Sequence, residues 1–144
     1  MKILVINGPN LNMLGIREKE IYGQRTYPEL VGYIERFAED NGISAEVFQS
    51  NHEGAIIDKI HQAYNNVDGI IINGGGYTHT SIAIMDAIKA VMIPTVEVHL
   101  SDISQREDFR KLSYLSMVCE KTICGKGFAG YSEGISYLIE KYGK

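Results

Sequence analysis

The sequence predicts an α/β fold built on a doubly wound parallel sheet. Short apolar runs rich in β-branched residues alternate along the chain with longer segments of helical period, and polar turns close the apolar runs. Strict alternation of strands and helices implies parallel strands joined by right-handed crossovers. With 144 residues, the chain suits one domain, which we expect to span residues 1–144.

The first strand and first long helix have clear boundaries. Lys2–Asn7 is a short apolar run closed by a turn, as expected for a strand that is buried on both faces. The next periodic segment, Thr26–Asn41, is predicted to be a helix. Thr26 and Glu29 fit a capping box at its start, and Gly42 stands where the helix should stop.

A second strand and helix follow directly. Ala45–Gln49 is predicted to be a strand. Ser50 and Glu53 have the spacing of another capping box, which would begin the next helix. The apolar face of that helix is predicted to contain Ile56, Ile57, Ile60 and Tyr64.

The second half repeats the pattern. Gly69–Asn73 and Thr95–His99 are predicted to be buried strands, with a helix over 80–90 between them. Val118–Cys124 is a fifth strand by the same criterion. A closing helix is marked by Phe128, Tyr131, Ile135, Leu138 and Ile139. Five strands in this arrangement most simply form a flavodoxin-like sheet.

Charge and cysteine content narrow the functional class. Fourteen Lys and Arg residues against 18 Asp and Glu residues give a net charge of −4, which argues against a nucleic-acid or anionic-membrane surface. No apolar run reaches membrane-spanning length. The two cysteines, Cys119 and Cys124, are expected to be buried thiols in a reducing compartment. We therefore expect a cytoplasmic protein with a small-molecule partner.

Polar residues collect where the predicted strands end. In chain order these segments are Asn7–Asn12 with Arg17 and Tyr22 beyond it, Ser50–Glu53, Asn73–Thr80, and His99–Ser101 with Arg106 and Arg110 beyond it. Three of the four histidines lie there, whereas the opposite ends of the strands hold little comparable. Ligands of open parallel sheets bind outside the carboxyl ends of the strands, so we expect the functional site at this edge.

Several kinds of site lack their sequence signature. No G-x-S-x-G nucleophile elbow is present. His52 and Glu53 are followed by Ile56 where an H-E-x-x-H zinc motif needs histidine, so we expect no metal. The segment Gly125–Gly130 matches G-x-G-x-x-G but lacks the further strand and acid of a Rossmann unit. A flavodoxin-like nucleotide- or flavin-binding module that uses these glycines and those of Gly74–Gly76 is the alternative function.

Acid–base chemistry on an anionic small molecule fits the remaining groups best. Arg17 lies five residues before Tyr22, and a guanidinium favours a phenolate, so Tyr22 is a candidate base. His99 at a strand end, braced by a carboxylate such as Glu97, is a candidate acid. This pairing indicates proton abstraction followed by loss of a leaving group. A catalytically inactive assembly protein of the same fold is a further possibility.

Four segments resemble a known enzyme family. They are NGPNLNMLGIREKEIYG (7–23), QSNHEGAIIDKIH (49–61), INGGGYTHTSIAIMDAI (72–88) and VEVHLSDISQREDFRKLSY (96–114). Together they resemble type II 3-dehydroquinate dehydratase, the cofactor-free dehydratase of the shikimate pathway of aromatic amino-acid biosynthesis. The resemblance implies a flavodoxin-like fold, elimination of water from 3-dehydroquinate through an enolate, no cofactor, and assembly into a homododecamer of trimers.

The resemblance also implies roles for individual residues. Tyr22 matches the base, Arg17 the residue that lowers the pKa of that tyrosine, and His99 the acid. Asn10 matches a residue that orders a water, and Glu97 matches the brace of His99. Residues that hold the substrate hydroxyls are matched by Asn73, His79 and Arg110, and those that hold its carboxylate by Leu100 and Ser101. Asp86 matches a residue that reaches the site of a neighbouring subunit.

Three residues depart from the pattern of the family. Gly74 and Gly76 stand where Pro and Ala are common, which predicts a looser loop because glycine loses more backbone entropy on ordering. Asp102 stands where Asn is frequent and adds a negative charge near the expected carboxylate site. We expect these changes to affect substrate affinity more than the chemistry.

Overall fold

Five parallel strands form one sheet in the computed structural model, which describes residues 1–22 and 24–143, apart from the side chain of Tyr22. The strands are β1 (Lys2–Asn7), β2 (Ser44–Gln49), β3 (Gly69–Asn73), β4 (Thr95–His99) and β5 (Lys121–Cys124), and the sheet order is β2-β1-β3-β4-β5. The α-helices are α1 (Lys19–Tyr22), α2 (Tyr27–Asp40), α3 (Glu53–Ala63), α4 (Ile82–Val91) and α5 (Ala129–Tyr142). This order is the flavodoxin-like arrangement, so the predicted fold class is confirmed.

Two apolar cores cover the two faces of the sheet because side chains of a strand alternate between faces. Ile3 and Val5 of β1 pack with helices α2 and α5, whereas Leu4 and Ile6 pack with α3 and α4. Two helices on each face make the sheet doubly wound. The nearly continuous apolar sequence of β1 and β3 follows from burial on both faces.

Strand register brings the predicted functional segments to one edge. Asn7 is paired with Gln49 on one side and with Asn73 on the other. His99 ends β4 opposite Cys124 of β5. All five carboxyl ends therefore open onto the same side of the molecule.

Helix α2 begins with the predicted cap. The Thr26 hydroxyl accepts a hydrogen bond from the Glu29 N–H at 3.3 Å, and this satisfies one of the free N–H groups of the first turn. At the other end, Gly42 adopts a φ of 68°, a left-handed conformation that favours glycine.

The predicted start and apolar face of α3 were partly wrong. His52 is the N-cap residue, and the Ser50 hydroxyl accepts from the His52 N–H at 3.0 Å within a turn. Ser50 therefore does not cap the helix, and the first turn has no side-chain cap. Glu53 instead accepts from the Ser81 hydroxyl at 2.5 Å, which links α3 to α4. Tyr64 lies beyond the helix and is 54% exposed, so the buried face ends before it.

Two other boundaries differ from the predicted ones. Helix α4 begins at Ile82 because Ser81, rather than Thr80, caps it, and Gly75–His79 forms a separate 3₁₀ helix. Strand β5 begins at Lys121 and not at Val118, because the residues before it follow a 3₁₀ turn over Leu115–Met117. Both differences arise where a short turn, invisible to apolar periodicity, precedes a regular element.

Cys119 and Cys124 are unpaired and only partly buried, rather than fully buried as expected. Burial raises the pKa of both thiols, which therefore stay protonated near neutral pH. In the described residues, no helix combines the length and apolar character needed to cross a membrane.

Candidate active site

A pocket of about 100 Å³ opens at the carboxyl edge of the sheet. The loops after β1, β3 and β4 supply its lining. It brings together eight predicted site residues, namely Asn10, Arg17, Asn73, His79, His99, Leu100, Ser101 and Arg110. Glu97 lies behind His99, and the side chain of Tyr22 lies outside the described residues.

The acid candidate is a buried histidine–carboxylate pair. His99 and Glu97 are two residues apart on β4, so their side chains leave the same face of the strand. The Nε2 atom of His99 forms a short hydrogen bond with Glu97 Oε2. His99 is 5% exposed and Glu97 is fully buried. Since Nε2 is committed to Glu97, Nδ1 is the ring nitrogen that remains for a ligand in the pocket.

Glu97 keeps its charge despite its burial. Burial raises the pKa of this carboxyl, but hydrogen bonds from His99, Ser113 and Thr122 outweigh that effect and hold the pKa below its usual range. The Ser113 hydroxyl donates to Oε2 at 2.6 Å, and the Thr122 hydroxyl donates to Oε1 at 3.0 Å. The carboxylate therefore has donors on both oxygens.

A buried hydrogen-bond chain orients the amide of Asn73. Its Nδ2 donates to the Tyr131 hydroxyl at 3.0 Å, and its Oδ1 accepts from the Gly75 N–H at 3.2 Å. Tyr131 in turn donates to Asn7 Oδ1 at 2.6 Å. The amide of Asn73 thus has a fixed orientation and one N–H left to offer to the pocket.

His79 presents a neutral imidazole. Its Nδ1 lies 2.6 Å from the Leu112 carbonyl, which can only accept, so Nδ1 carries the proton. Burial lowers the pKa of His79, and the neighbouring His99 and Arg110 act in the same direction. Near neutral pH its Nε2 is therefore an acceptor suited to a hydroxyl group.

Three arginines make the pocket attractive to an anion. Arg17, Arg106 and Arg110 all line it. Glu18 lies 3.7 Å from guanidinium nitrogens of both Arg17 and Arg106. Arg110 Nε lies 2.8 Å from Glu107 Oε2, although its N–H is not aligned for a hydrogen bond.

Close backbone contacts shape the mouth of the pocket. A Cβ atom on Gly8 would lie 2.4 Å from the Gly74 carbonyl oxygen, so only glycine fits where these loops meet. Asn10 has a φ of 69° and donates its N–H to Asn51 Oδ1 at 3.0 Å. The carbonyls of Leu100 and Ser101 accept from N–H groups of the Gly125–Gly130 segment, which fixes the chain after β4.

Two further residues that the sequence analysis singled out lie outside this pocket. Asp86 is an exposed residue of α4 and does not line it. The carboxylate of Asp102 accepts from the Ser104 hydroxyl at 2.6 Å and the Ser104 N–H at 3.0 Å, and these bonds lower its pKa. Asp102 does not line the pocket either, so its charge is held beside Ser104.

The segment with three glycines forms a 3₁₀ helix with several anchors. The Tyr77 hydroxyl donates to the Asn51 carbonyl at 2.8 Å, and the Tyr114 N–H donates to the Thr78 carbonyl at 2.9 Å. Gly74 has a φ of −73°, compatible with the Pro common in the family, although a Cβ there would press on the side chains of Leu115 and Thr78. The predicted looseness of this loop stays a prediction.

In the glycine-rich segment after β5, the N–H groups of the three glycines are occupied. Gly125 donates to the carbonyls of His99 and Ser101, Gly127 donates to Leu100, and Gly130 donates to Gly127. These donors are therefore not available to cradle a phosphate. Within residues 1–22 and 24–143, no group of three or more His, Cys, Asp or Glu side chains is placed to hold a metal ion.

Sequence reasoning missed several side chains around the pocket. Arg106 was placed among the polar residues at this edge but was given no role, although its side chain is only 11% exposed and lines the pocket. Ser113, Thr122 and Glu18 were not singled out. Thr122 could have been found from strand register, since it stands directly opposite Glu97. Ser113 lies in an irregular loop that carries no comparable signal.

Comparison with known proteins identifies the family. The sequence model of a family described as Dehydroquinase class II matches residues 1–139. The chain belongs to the class II dehydroquinases. A "3-dehydroquinate dehydratase" of Clostridium acetobutylicum is 59% identical over 138 residues, which cover 96% of each chain. One of the same name from Fusobacterium nucleatum subsp. nucleatum is 58% identical and covers 100% of both chains.

Solved structures of class II dehydroquinases agree with this assignment. A type II dehydroquinase from Butyrivibrio crossotus superposes with a TM-score of 0.94 at 54% identity and covers 96% of this chain and 97% of that one. The resemblance drawn from the four sequence segments is confirmed. The alternative of a nucleotide- or flavin-binding module is not favoured.

Proposed function

We propose that this class II dehydroquinase eliminates water from 3-dehydroquinate to give 3-dehydroshikimate through an enolate, in the shikimate pathway. The observation that carries the proposal is identity of 58–59% over nearly the full chain to proteins named 3-dehydroquinate dehydratase. The pocket supports it because a histidine–glutamate pair and three arginines face one space. Such a set suits acid–base chemistry on a carboxylate substrate.

The base in this proposal is Tyr22 in its phenolate form. It takes a proton from the carbon next to the ketone, and the electron pair of that C–H bond forms the enolate. Arg17 keeps the phenolate accessible near neutral pH because a nearby positive charge stabilises the anion. Asn10 holds the water that donates to the enolate oxygen, a preorganised contact that favours the developing charge.

The acid is His99. As the enolate collapses to the ketone, the carbon–oxygen bond of the departing hydroxyl breaks, and a proton from His99 turns that group into water. Glu97 holds the imidazole by its Nε2 atom and stabilises its charged form. The reaction consumes no cofactor or metal, since the protons and electrons balance within the substrate and these two groups.

Substrate binding is assigned to the remaining pocket residues. Asn73, neutral His79 and Arg110 hold the substrate hydroxyls in the proposal. Leu100 and Ser101 hold the carboxylate, at the segment directly after β4. The pocket geometry supports this division because His79 offers an acceptor and Asn73 offers a donor.

We extend the proposal to a cytoplasmic homododecamer built from trimers, in which Asp86 reaches the pocket of a neighbouring subunit. Its exposed position outside the pocket of its own chain is compatible with that role. The two unpaired cysteines suit a reducing compartment. A mass measurement in solution tests the assembly, and a stable monomer of about 16 kDa would contradict it.

The activity has a direct assay. The product is a conjugated enone, so conversion of 3-dehydroquinate raises ultraviolet absorbance. We expect turnover by the purified protein in the presence of a chelator at the same rate as without it. Absence of turnover by a folded, assembled sample would refute the proposed function, and loss of turnover in chelator would refute the metal-free mechanism.

A further inference from the structure

The buried carboxylate of Glu97 receives more hydrogen bonds than are needed to orient His99. One oxygen accepts from both His99 and the Ser113 hydroxyl, and the other accepts from the Thr122 hydroxyl. Thr122 reaches it across the ladder, since it pairs with Glu97 in the register of β4 and β5. Two groups outside the pocket lining thus contact the partner of the acid.

The direction of the Ser113 bond is fixed by its neighbours. Its Oγ accepts from the Ser116 N–H at 3.1 Å, so the hydroxyl proton is free to point at Glu97. A carboxylate without protons can only accept, which gives Thr122 the same polarity. Both hydroxyls therefore stabilise the ionised form of Glu97 and not the protonated form.

This polarity decides where the proton of the His99–Glu97 pair rests. In a buried site, two neutral groups compete with a charged pair because burial penalises charge. Transfer of the Nε2 proton from His99 to Glu97 would remove both charges and leave a neutral imidazole, whose remaining Nδ1 proton is a far weaker acid. Each hydroxyl that donates to the carboxylate opposes this transfer.

We propose that Ser113 and Thr122 are positioning residues for the acid step, which hold Glu97 as a carboxylate so that the proton of the pair stays on His99. The inference rests on the proposed function, because it gives His99 the role of proton donor. It adds to that function a pair of hydroxyl groups that act through Glu97 without contacting substrate.

Other titratable groups near the pair have constant charge over the working range. Among the residues that the structure describes, they are His79, Arg17, Arg106 and Arg110 from the pocket and the thiols of Cys119 and Cys124. Burial keeps His79 neutral above its lowered pKa and keeps the thiols protonated, whereas arginine stays charged throughout. Changes in the high-pH limb of the rate profile can therefore be assigned to the pair.

The Thr122 position offers a matched pair of variants. Thr122→Val removes the hydroxyl at nearly constant volume, and Thr122→Ser keeps the hydroxyl and removes the methyl group. We expect Thr122→Val to lower kcat about tenfold, equivalent to about 1.4 kcal/mol, with KM unchanged. The high-pH limb of the rate profile should move up by about one pH unit. When the His99–Glu97 pair loses its last proton, Glu97 remains as a carboxylate, and without the Thr122 hydroxyl this carboxylate is less well stabilised. Thr122→Ser should behave like the unchanged protein.

Ser113 provides an independent test on the other oxygen. Ser113→Ala should lower kcat and move the high-pH limb upward. The double variant Ser113→Ala with Thr122→Val should lower kcat more, and move the limb farther, than either single variant. Ser113→Ala also removes the acceptor of the Ser116 N–H, so thermal unfolding is measured alongside. If Ser113→Ala does not fold, the two Thr122 variants decide the question alone.

The position of the proton can also be observed without turnover. In protein labelled with ¹⁵N-histidine, the His99 signal is assigned by its loss in His99→Gln. We expect the ring nitrogens of His99 to shift toward neutral-imidazole values in Thr122→Val at the pH of maximal rate, and to keep their positions in Thr122→Ser.

Three outcomes would overturn the inference. The first is a Thr122→Val enzyme with unchanged kcat and pH profile, and the second is an equal loss in Thr122→Ser, which would assign the effect to packing. The third is an unmoved His99 signal in Thr122→Val. Failure of the unchanged protein to turn over 3-dehydroquinate would instead refute the proposed function, so the two failures are distinguishable.

Discussion

At the scale of single residues, the pocket sets protonation states by direct contacts. Glu97 is ionised because three donors offset its burial, and His79 is neutral because burial disfavours its charged form. The pocket therefore offers a proton donor, a hydroxyl acceptor and guanidinium groups for an anion within one space. In the proposed function, proton abstraction is assigned to Tyr22.

The role of Tyr22 is tested by removing one oxygen atom. Tyr22→Phe should leave folding intact and lower kcat at least about 10²-fold, since general base catalysis contributes about 10²–10⁴-fold. Tyr64→Phe is the matched control because Tyr64 is 54% exposed and does not line the pocket. A Tyr22→Phe enzyme within a few-fold of the normal rate would remove the tyrosine from the mechanism.

The contribution of Arg17 should be visible in the pH dependence. Without its positive charge the phenolate of Tyr22 is less stable, so Arg17→Ala should move the low-pH limb of kcat/KM upward by about one to three pH units. Arg36→Ala, which changes an exposed arginine of α2, should leave the limb in place. An unmoved limb in Arg17→Ala would contradict the electrostatic role.

The sequence predicted which side chains meet but missed some that support them. Asn73, His79 and His99 could be placed together because they directly follow strands whose ends share one edge. Ser113 and Arg106 come from loops and 3₁₀ turns after β4, where no periodic pattern fixes the path of the chain. Their contribution becomes visible only when that path is known.

At the scale of elements, the Gly75–His79 turn contains two neighbouring glycines that differ in whether a side chain could replace the hydrogen atom on Cα. Gly76 has open space around it, so Gly76→Ala should raise the free energy of unfolding by about 0.4–1 kcal/mol through the unfolded state. Gly75 has a φ of 57°, and a Cβ there would lie 2.9 Å from the Pro9 carbonyl oxygen. Gly75→Ala should therefore cost at least about 1–2 kcal/mol.

Urea unfolding of the two alanine variants at one protein concentration makes this comparison. Equal stability of the Gly75→Ala and Gly76→Ala proteins would contradict the structure of this turn. A loss in Gly76→Ala would show that the segment needs glycine for a reason other than backbone entropy.

Helix α5 is joined to the strand ends through Tyr131. Its hydroxyl accepts from Asn73 and donates to Asn7, and all three side chains are buried. Tyr131→Phe leaves both amides without this partner and should lower the free energy of unfolding by about 1–3 kcal/mol. Denaturant unfolding of Tyr131→Phe is measured with Tyr64→Phe as the control. A loss in the free energy of unfolding below about 0.5 kcal/mol would contradict the hydrogen bonds that join Tyr131 to Asn73 and Asn7.

Elements with strong periodicity were predicted well, and short turns were not. The strands Lys2–Asn7, Gly69–Asn73 and Thr95–His99 have the predicted bounds because burial on both faces gives uninterrupted apolar runs. The capping box at Ser50 was wrong because a Ser–x–x–Glu spacing also fits a turn in which serine bonds two residues ahead. Local hydrogen bonds of this kind compete at similar energies, so spacing alone does not decide between them.

At the scale of the whole molecule, the sheet separates stability from chemistry. Apolar residues fill both faces, and the titratable groups of the pocket lie beyond the carboxyl ends of the strands. The separation is incomplete because Glu97 is fully buried within β4, and His79 is held by a loop carbonyl. The stability of the protein should therefore depend on pH through groups of the site.

Acid should destabilise the protein in two steps, at a fixed protein concentration. The folded-state pKa of His79 lies below 6.5, so the unfolded chain binds more protons, and the free energy of unfolding falls as the pH drops below about 6.5. The folded-state pKa of Glu97 lies below 4.5, so its contribution is fully present above pH 4.5 and is lost as the pH falls through the folded value. His79→Gln should flatten the first step and leave the second, whereas His61→Gln, at an exposed residue of α3, should change neither. Urea unfolding from pH 8 down to about pH 2 measures both steps, and an unchanged slope in His79→Gln would show that this imidazole is not held neutral by burial.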